Sequence, residues 1–135
     1  MGLQAKITYK DGFRFEATAR GHTIVCDQPR ENAGTDAGMA PPELLLASLG
    51  SCAAYYAVEY LRARNLSTTG VTIAVTAEKA QQPPRLTNFA IMLNIPELAD
   101  QRHRDGVLRA VKTCLVHNTL IHSPTIRVEI DGKNP

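Results

Sequence analysis

Leu3, Ala5 and Ile7 alternate with Gln4, Lys6 and Thr8, the period-two pattern of a half-buried strand. Asp11-Gly12 marks a turn, and beyond it Phe13, Phe15 and Ala17 alternate with Arg14, Glu16 and Thr18. Gly21 is a second turn signal, and Thr23–Cys26 forms a third short strand. These hairpin signals predict a three-stranded antiparallel meander. From Asp27 to Pro42 the periodicity gives way to Pro, Gly, Asn, Asp and Met. A loop of about sixteen residues exceeds the roughly 12–15 that ordinary connections use, and such loops are often functional.

A helix start follows at Pro41-Pro42-Glu43, since Pro suits the first turn and an early carboxylate suits the positive end of the macrodipole. The helix is expected to reach about Arg64, with Asn65 ending it, a length of roughly 33 Å. Leu44, Leu45, Leu46, Leu49, Cys52, Ala53 and Tyr56 leave almost no polar face over its first half. A helix apolar nearly all round needs cover on every side, which a chain of 135 residues can hardly supply alone. A partner subunit is therefore expected.

Val71, Ile73, Val75 and Ala77 alternate into a strand, Gln81–Pro84 is a turn, and Phe89, Ile91, Leu93 and Ile95 make the second arm of a hairpin. Pro96 and Glu97 then open a helical stretch whose apolar face is Val107, Leu108, Val111 and Cys114. A shorter helix spans Val116 to Ile121, and Ile126, Val128 and Ile130 form a last strand. With no internal repeat and no linker, residues 1–135 form one α+β domain: a meander, a long central helix, a β-hairpin, two C-terminal helices and a final strand.

Composition narrows the class. Hydrophobic residues at 44% and charged ones at 21% suit a folded globular chain. The net charge of +2 is scattered, so no basic stripe for nucleic acid is present. The start of the chain has no apolar stretch behind a basic end, and Lys6 stands where a myristoylation signal needs Ser or Thr. The apolar run between Glu43 and Glu59 has fifteen residues, short of the roughly 20 that span a bilayer. A cytoplasmic protein without a membrane segment is expected. Three cysteines argue against a structural disulfide framework, so any disulfide here is transient and chemical in purpose.

Cys52 sits mid-helix beside Gly50, with Tyr55 and Tyr56 one turn on. Taken singly, Cys52, Cys114 and Cys26 each read first as small buried hydrophobes. Composition and spacing leave the function open.

A longer pattern points further. Asp27-Gln28-Pro29, then Gly34-Thr35-Asp36-Ala37-Gly38, then Pro41-Pro42-Glu43-Leu44-Leu45-Leu46-Ala47-Ser48-Leu49-Gly50-Ser51-Cys52 resembles the OsmC/Ohr family. The similarity resumes at Lys112-Thr113-Cys114-Leu115-Val116-His117-Asn118-Thr119-Leu120, so it covers essentially the whole domain. The resemblance implies an α+β homodimer of intertwined appearance, with the long central helices packed together. It implies a peroxidase without cofactor or metal, in which Cys52 is the peroxidatic thiol and Cys114 the resolving one. Organic hydroperoxides are the implied substrates, and a dithiol or a lipoylated protein the implied reductant.

The chemistry fits two cysteines. A thiolate attacks the distal peroxide oxygen, releases an alcohol and becomes a sulfenic acid, and a second thiol condenses with that to a disulfide. Exchange with an external thiol restores the pair. Lowering a thiol pKa by about two units needs roughly 2.7 kcal/mol of preferential thiolate stabilisation. Family members use an Arg paired with a Glu for this. The family's Glu position, ten before the first Cys, is Pro42 here, and Glu43 follows it. Nine positions before Cys52 on a straight helix is the opposite side and roughly 13 Å away. Glu43 thus has two open roles, orienting an Arg for the other subunit or starting the helix. Arg30 in the long loop is the first candidate for the activating Arg, and Arg20 the second. His117, three residues after Cys114, is a candidate to polarise a thiol, and Tyr55 and Tyr56 are candidates to line the substrate pocket.

Two other readings stay open. One is a dimer of this fold that carries a small apolar ligand with little peroxidase activity. The other is a metal site from Cys52, Cys114 and His117, which the lack of any Cys-x-x-Cys or His-x-x-x-His pair disfavours.

Overall fold

A computed structural model describes residues 2–133. They fall into two compact units. One takes the chain up to Ala47 together with Ala77–Asn88; the other takes Ser48–Thr76 and the chain from Phe89 onward.

The first unit contains a sheet of three antiparallel strands in the order β1 (Lys6–Asp11), β2 (Arg14–Ala19) and β3 (His22–Cys26). Ile7 faces Ala17 and Tyr9 faces Phe15 across β1 and β2, and a bulge between Tyr9 and Asp11 absorbs the register shift at the turn. The β2–β3 hairpin closes on the pair Ala19–His22. Its two loop residues, Arg20 and Gly21, have φ of 51° and 85°. Positive φ at both central positions is the type I′ turn, whose twist matches that of the flanking strands. β1 begins three residues later than the alternation suggests. It first pairs through Lys6 with Thr18, and β2 turns away at Ala19, leaving residues 3–5 nothing to pair with.

The stretch after β3 is irregular but organised. Asp27 is buried, and its carboxylate accepts from the backbone N–H of Gln28 (2.7 Å), Thr35 (3.2 Å) and Ala37 (3.1 Å) and from the Thr35 hydroxyl (2.6 Å). Arg30–Asn32 make one 3-10 turn within it. Gly34 passes so close to the Gln28 carbonyl that a Cβ there would collide with it. The long loop is thus a folded-back segment held by one acid.

Helix α1 (Pro41–Ala63) begins at Ala40, whose N–H donates to Glu43 Oε1 at 2.9 Å. This is the reach-back half of a capping box. It ends with Asn65 at φ 55°, with Leu66 N–H bonded to the Leu61 carbonyl and Asn65 N–H to that of Arg62. Those two bonds define a Schellman motif, with Asn in the left-handed position. Within its 23 residues an 18-residue stretch has a mean hydropathy of 1.3, long and apolar enough to cross a bilayer, although the uncharged run alone is shorter. Instead Leu49, Ala53, Ala57 and Leu61, spaced four apart, are buried within the protein. That stripe makes α1 a core helix.

In the second unit the core gathers Ala53, Ala57 and Leu61 of α1 with Ile95, Leu98, Val107 and Val111. A two-stranded ribbon, β4 (Thr72–Ala80) and β5 (Arg85–Asn94), precedes helices α2 (Gln101–Val111) and α3 (Leu115–Ile121). Helix α2 does not start at Pro96-Glu97. Leu98 N–H closes a turn on Ile95, and Asp100 caps the helix by accepting from Arg102 N–H at 2.8 Å. A true N-cap side chain wins over a Pro-Glu pair that only resembles one. On α2 it is Gly106 and Val107, rather than Leu108, that join Val111 in the interior.

Gly106 lies against the Tyr60 ring, and a Cβ there would collide with its hydroxyl end. Tyr60 cannot easily give way: its hydroxyl meets His103 Nδ1 at 3.1 Å, and the Arg64 guanidinium stacks 3.7 Å over its ring. Gly106→Ala would gain about 1 kcal/mol of helix propensity, but overpacking costs about 1–3 kcal/mol. The expected result is a net loss of stability, read as a lower denaturation midpoint in urea.

The expected final strand does not pair. Residues 123–129 carry no strand, and only a bridge between Ile130 and Lys133 occurs near the end of the described residues. Ile126, Val128 and Ile130 are 84%, 67% and 69% exposed. An alternating apolar segment has strand character but needs an edge to join, and among the described residues no strand pairs with it.

Candidate active site

Both candidate thiols lie in the second unit. Cys52 is on α1 one residue before buried Ala53, and Tyr56 is one turn further along the same face. Gly50, on the preceding turn, lets β4 come close. A Cβ there would sit 2.9 Å from Val75 Cγ2. Cys114 follows the end of α2 and is the N-cap of α3, where its Sγ accepts from the His117 N–H at 3.4 Å.

The two thiols are neighbours. Burial pushes the Cys114 thiol up, and the neighbouring Cys52 side chain pushes it further, against the backbone N–H groups of His117 and Val116. Cys114 is thus the thiol that keeps its proton. It is fully buried, whereas Cys52 is partly open. Tyr56 belongs to the same cluster. Desolvation raises its phenol, with Cys52 and Cys114 as the next contributors, so it stays a neutral hydroxyl.

The other predicted residues divide. The Tyr55 ring packs edge-on against Tyr56 at 5.2 Å, but Tyr55 is 61% exposed and its hydroxyl donates to Glu59 at 3.3 Å. His117 has a buried Nδ1 with no hydrogen-bond partner among the described residues. Arg30 and Glu43 belong to the first unit. Arg30 is exposed in the 3-10 turn and forms no ion pair among the described residues. Glu43 is engaged at the start of α1. Cys26 is buried at the end of β3, away from this cluster in the chain and in the other unit.

Asp27, which shapes the loop that carries Arg30, has mostly backbone N–H groups as partners, and residue types do not advertise those.

A family profile described as OsmC-like protein matches residues 34–129. This chain belongs to the OsmC-like family. The match includes α1 with Cys52 and α3 with its Cys114 cap. No curated protein sequence matches the chain. Among solved structures of the OsmC fold, a Psychrobacter arcticus protein named for osmotic-stress induction and a detoxification response is 25% identical, with a TM-score of 0.79 over 88% of this chain and 89% of its own. An OsmC-like protein of Mycoplasma pneumoniae is 19% identical, with a TM-score of 0.76 over 91% and 89%. An organic hydroperoxide resistance protein of Elizabethkingia anophelis is 18% identical, with a TM-score of 0.68 over 91% and 90%. The α+β architecture read from the sequence is therefore the OsmC fold.

Proposed function

We propose that this OsmC-like protein is a thiol-dependent peroxidase that reduces organic hydroperoxides to alcohols. The observation that carries this reading is that Cys52, on α1, lies close enough to Cys114, the cap of α3, to raise its thiol. Relatives of the same fold named for hydroperoxide resistance support the substrate class.

The burial difference supports the roles that the family resemblance implies. Cys52, partly open, attacks the distal oxygen of ROOH as a thiolate. The O–O bond breaks, RO⁻ takes a proton and leaves as the alcohol, and Cys52 becomes a sulfenic acid. Cys114, buried and protonated, attacks the Cys52 sulfur. The S–O bond breaks, and the departing hydroxide with the Cys114 proton leaves as water. A dithiol or a lipoylated protein then reduces the disulfide by exchange. The neutral Tyr56 hydroxyl is suited to donate to the departing oxygen, with Tyr55 at the outer edge of the pocket. Arg30 is the proposed counter-charge for the Cys52 thiolate, since its guanidinium is unpaired among the described residues. Glu43 is proposed to secure the start of α1, because its Oε1 already holds the Ala40 N–H.

The working protein is proposed to be a cytoplasmic homodimer. Ile7, Tyr9, Phe13 and Ile24 are exposed on the β1–β3 hairpins, and the unpaired Ile126–Ile130 segment lacks an edge. A second copy would cover such apolar surface.

One equivalent of cumene hydroperoxide added to the reduced protein is the test. Tryptic mass spectrometry is expected to find a Cys52–Cys114 disulfide and Cys26 still free. Slow, unselective oxidation of all three thiols would instead leave the apolar-ligand carrier as the better reading.

A further inference from the structure

Closing the disulfide requires the Cys114 proton to leave a site from which water is excluded. Cys114 has no exposed surface, so solvent cannot take that proton directly. In the resting protein its thiol neighbours that of Cys52. His117 offers an acceptor in the same turn. It is the third residue of α3, its own N–H bonds Cys114 Sγ at 3.4 Å, and its Nδ1 is buried without a partner among the described residues. Side chains of a first helical turn lean back toward the N-terminus, so the third position faces the cap residue.

A buried polar atom without a partner costs about 1–3 kcal/mol, so packing alone gives no reason for an imidazole here. Leu or Val would fill the space at no such cost. Chemistry gives a reason. Imidazole titrates near neutrality and is the ordinary proton carrier between two groups at that pH.

We propose that His117 is the proton acceptor for Cys114 in the disulfide-closing step, a role that rests on the peroxidase reading above. Once Cys52 has become a sulfenic acid, the Cys114 S–H turns to His117 Nδ1. The imidazole takes the proton, the Cys114 thiolate attacks the Cys52 sulfur, and the S–O bond breaks. The departing hydroxide takes the same proton from His117 and leaves as water. The imidazole ends neutral, and one disulfide and one water have formed from one sulfenic acid and one thiol.

Two variants test this in the full-length protein, with one equivalent of cumene hydroperoxide under stopped flow. In His117→Asn an amide oxygen replaces Nδ1, which can accept a hydrogen bond but not a proton at neutral pH. Formation of the sulfenic acid, trapped with dimedone, is expected within about twofold of the wild type, while disulfide closure slows on the order of 10²-fold. In His117→Ala the same slowing is expected, and added imidazole should restore part of the closing rate. A helix-packing role would not respond to imidazole. Wild-type closure in either variant overturns the proposal, and so does slowing that imidazole leaves untouched. If the wild-type protein itself forms no Cys52–Cys114 disulfide, the peroxidase reading fails, and that result is separate from any behaviour of the variants.

Discussion

Cys52→Ser is expected to lose turnover of an organic hydroperoxide by about 10³-fold or more, because a serine hydroxyl at neutral pH is neither ionised nor a comparable nucleophile toward peroxide oxygen. The fold should be unaffected, since Cys52 lies beside the packed stripe of α1 rather than in it, and Ser differs by one atom. Cys114→Ser should behave differently. Without added thiol it consumes one equivalent of peroxide and stops, and excess peroxide carries Cys52 on to the sulfinic acid because no second sulfur intercepts it. Cys26→Ser, altered in the other unit, should stay within about twofold of the wild type in both assays. A coupled assay with a dithiol reductant reads turnover, and intact-mass spectrometry reads the oxidation state. Wild-type turnover by Cys52→Ser would refute the assignment of the nucleophile.

The second large effect is expected at Asp27. Hydrogen bonds from the Thr35 hydroxyl first, then from the Ala37, Gln28 and Thr35 N–H groups, outweigh its burial and bring its carboxyl down to about 2. In the unfolded chain the same group titrates at about 3.9. The folded value is the lower one, so its stabilising contribution is complete above about pH 4 to 5 and fades as acid takes the pH toward 2. Asp27→Asn keeps the shape, but its amide NH2 would face donors. The melting midpoint at pH 7 should fall by about 5 °C or more. The gap between variant and wild type should narrow below pH 4, where the wild type loses the same charge. A gap that stays constant from pH 7 to pH 3 would mean that the carboxylate charge does not hold the loop.

Much of the fold was legible because its signals are local. Alternation located all three strands of the meander, and Pro41 and Asn65 bracketed α1 because each has backbone chemistry suited to a helix end. Errors arose where a local signal met a non-local condition. Leu3 and Ala5 alternate correctly but have no strand opposite them. Pro96-Glu97 looks like a helix start, yet Asp100 supplies the cap. The segment from Ile126 to Ile130 has a strand pattern without a neighbour to bond. The site was less legible than the fold. Nothing in the spacing of Cys52 and Cys114, sixty-two positions apart, makes them meet; only the resemblance pointed there before the geometry did. Asp27 and the orphaned Nδ1 of His117 are facts about surroundings, and residue identity does not announce surroundings.

The division of the chain has a consequence for biosynthesis. Each unit draws on two stretches separated by the other, with crossings within α1, β4 and β5. No single cut therefore liberates either half as a continuous fragment, and truncation is a poor route to a minimal redox module. On the ribosome, Cys52 emerges long before the helix that bears its partner. Until the last quarter of the chain follows, the nascent protein carries a thiol with nothing to protect it from over-oxidation.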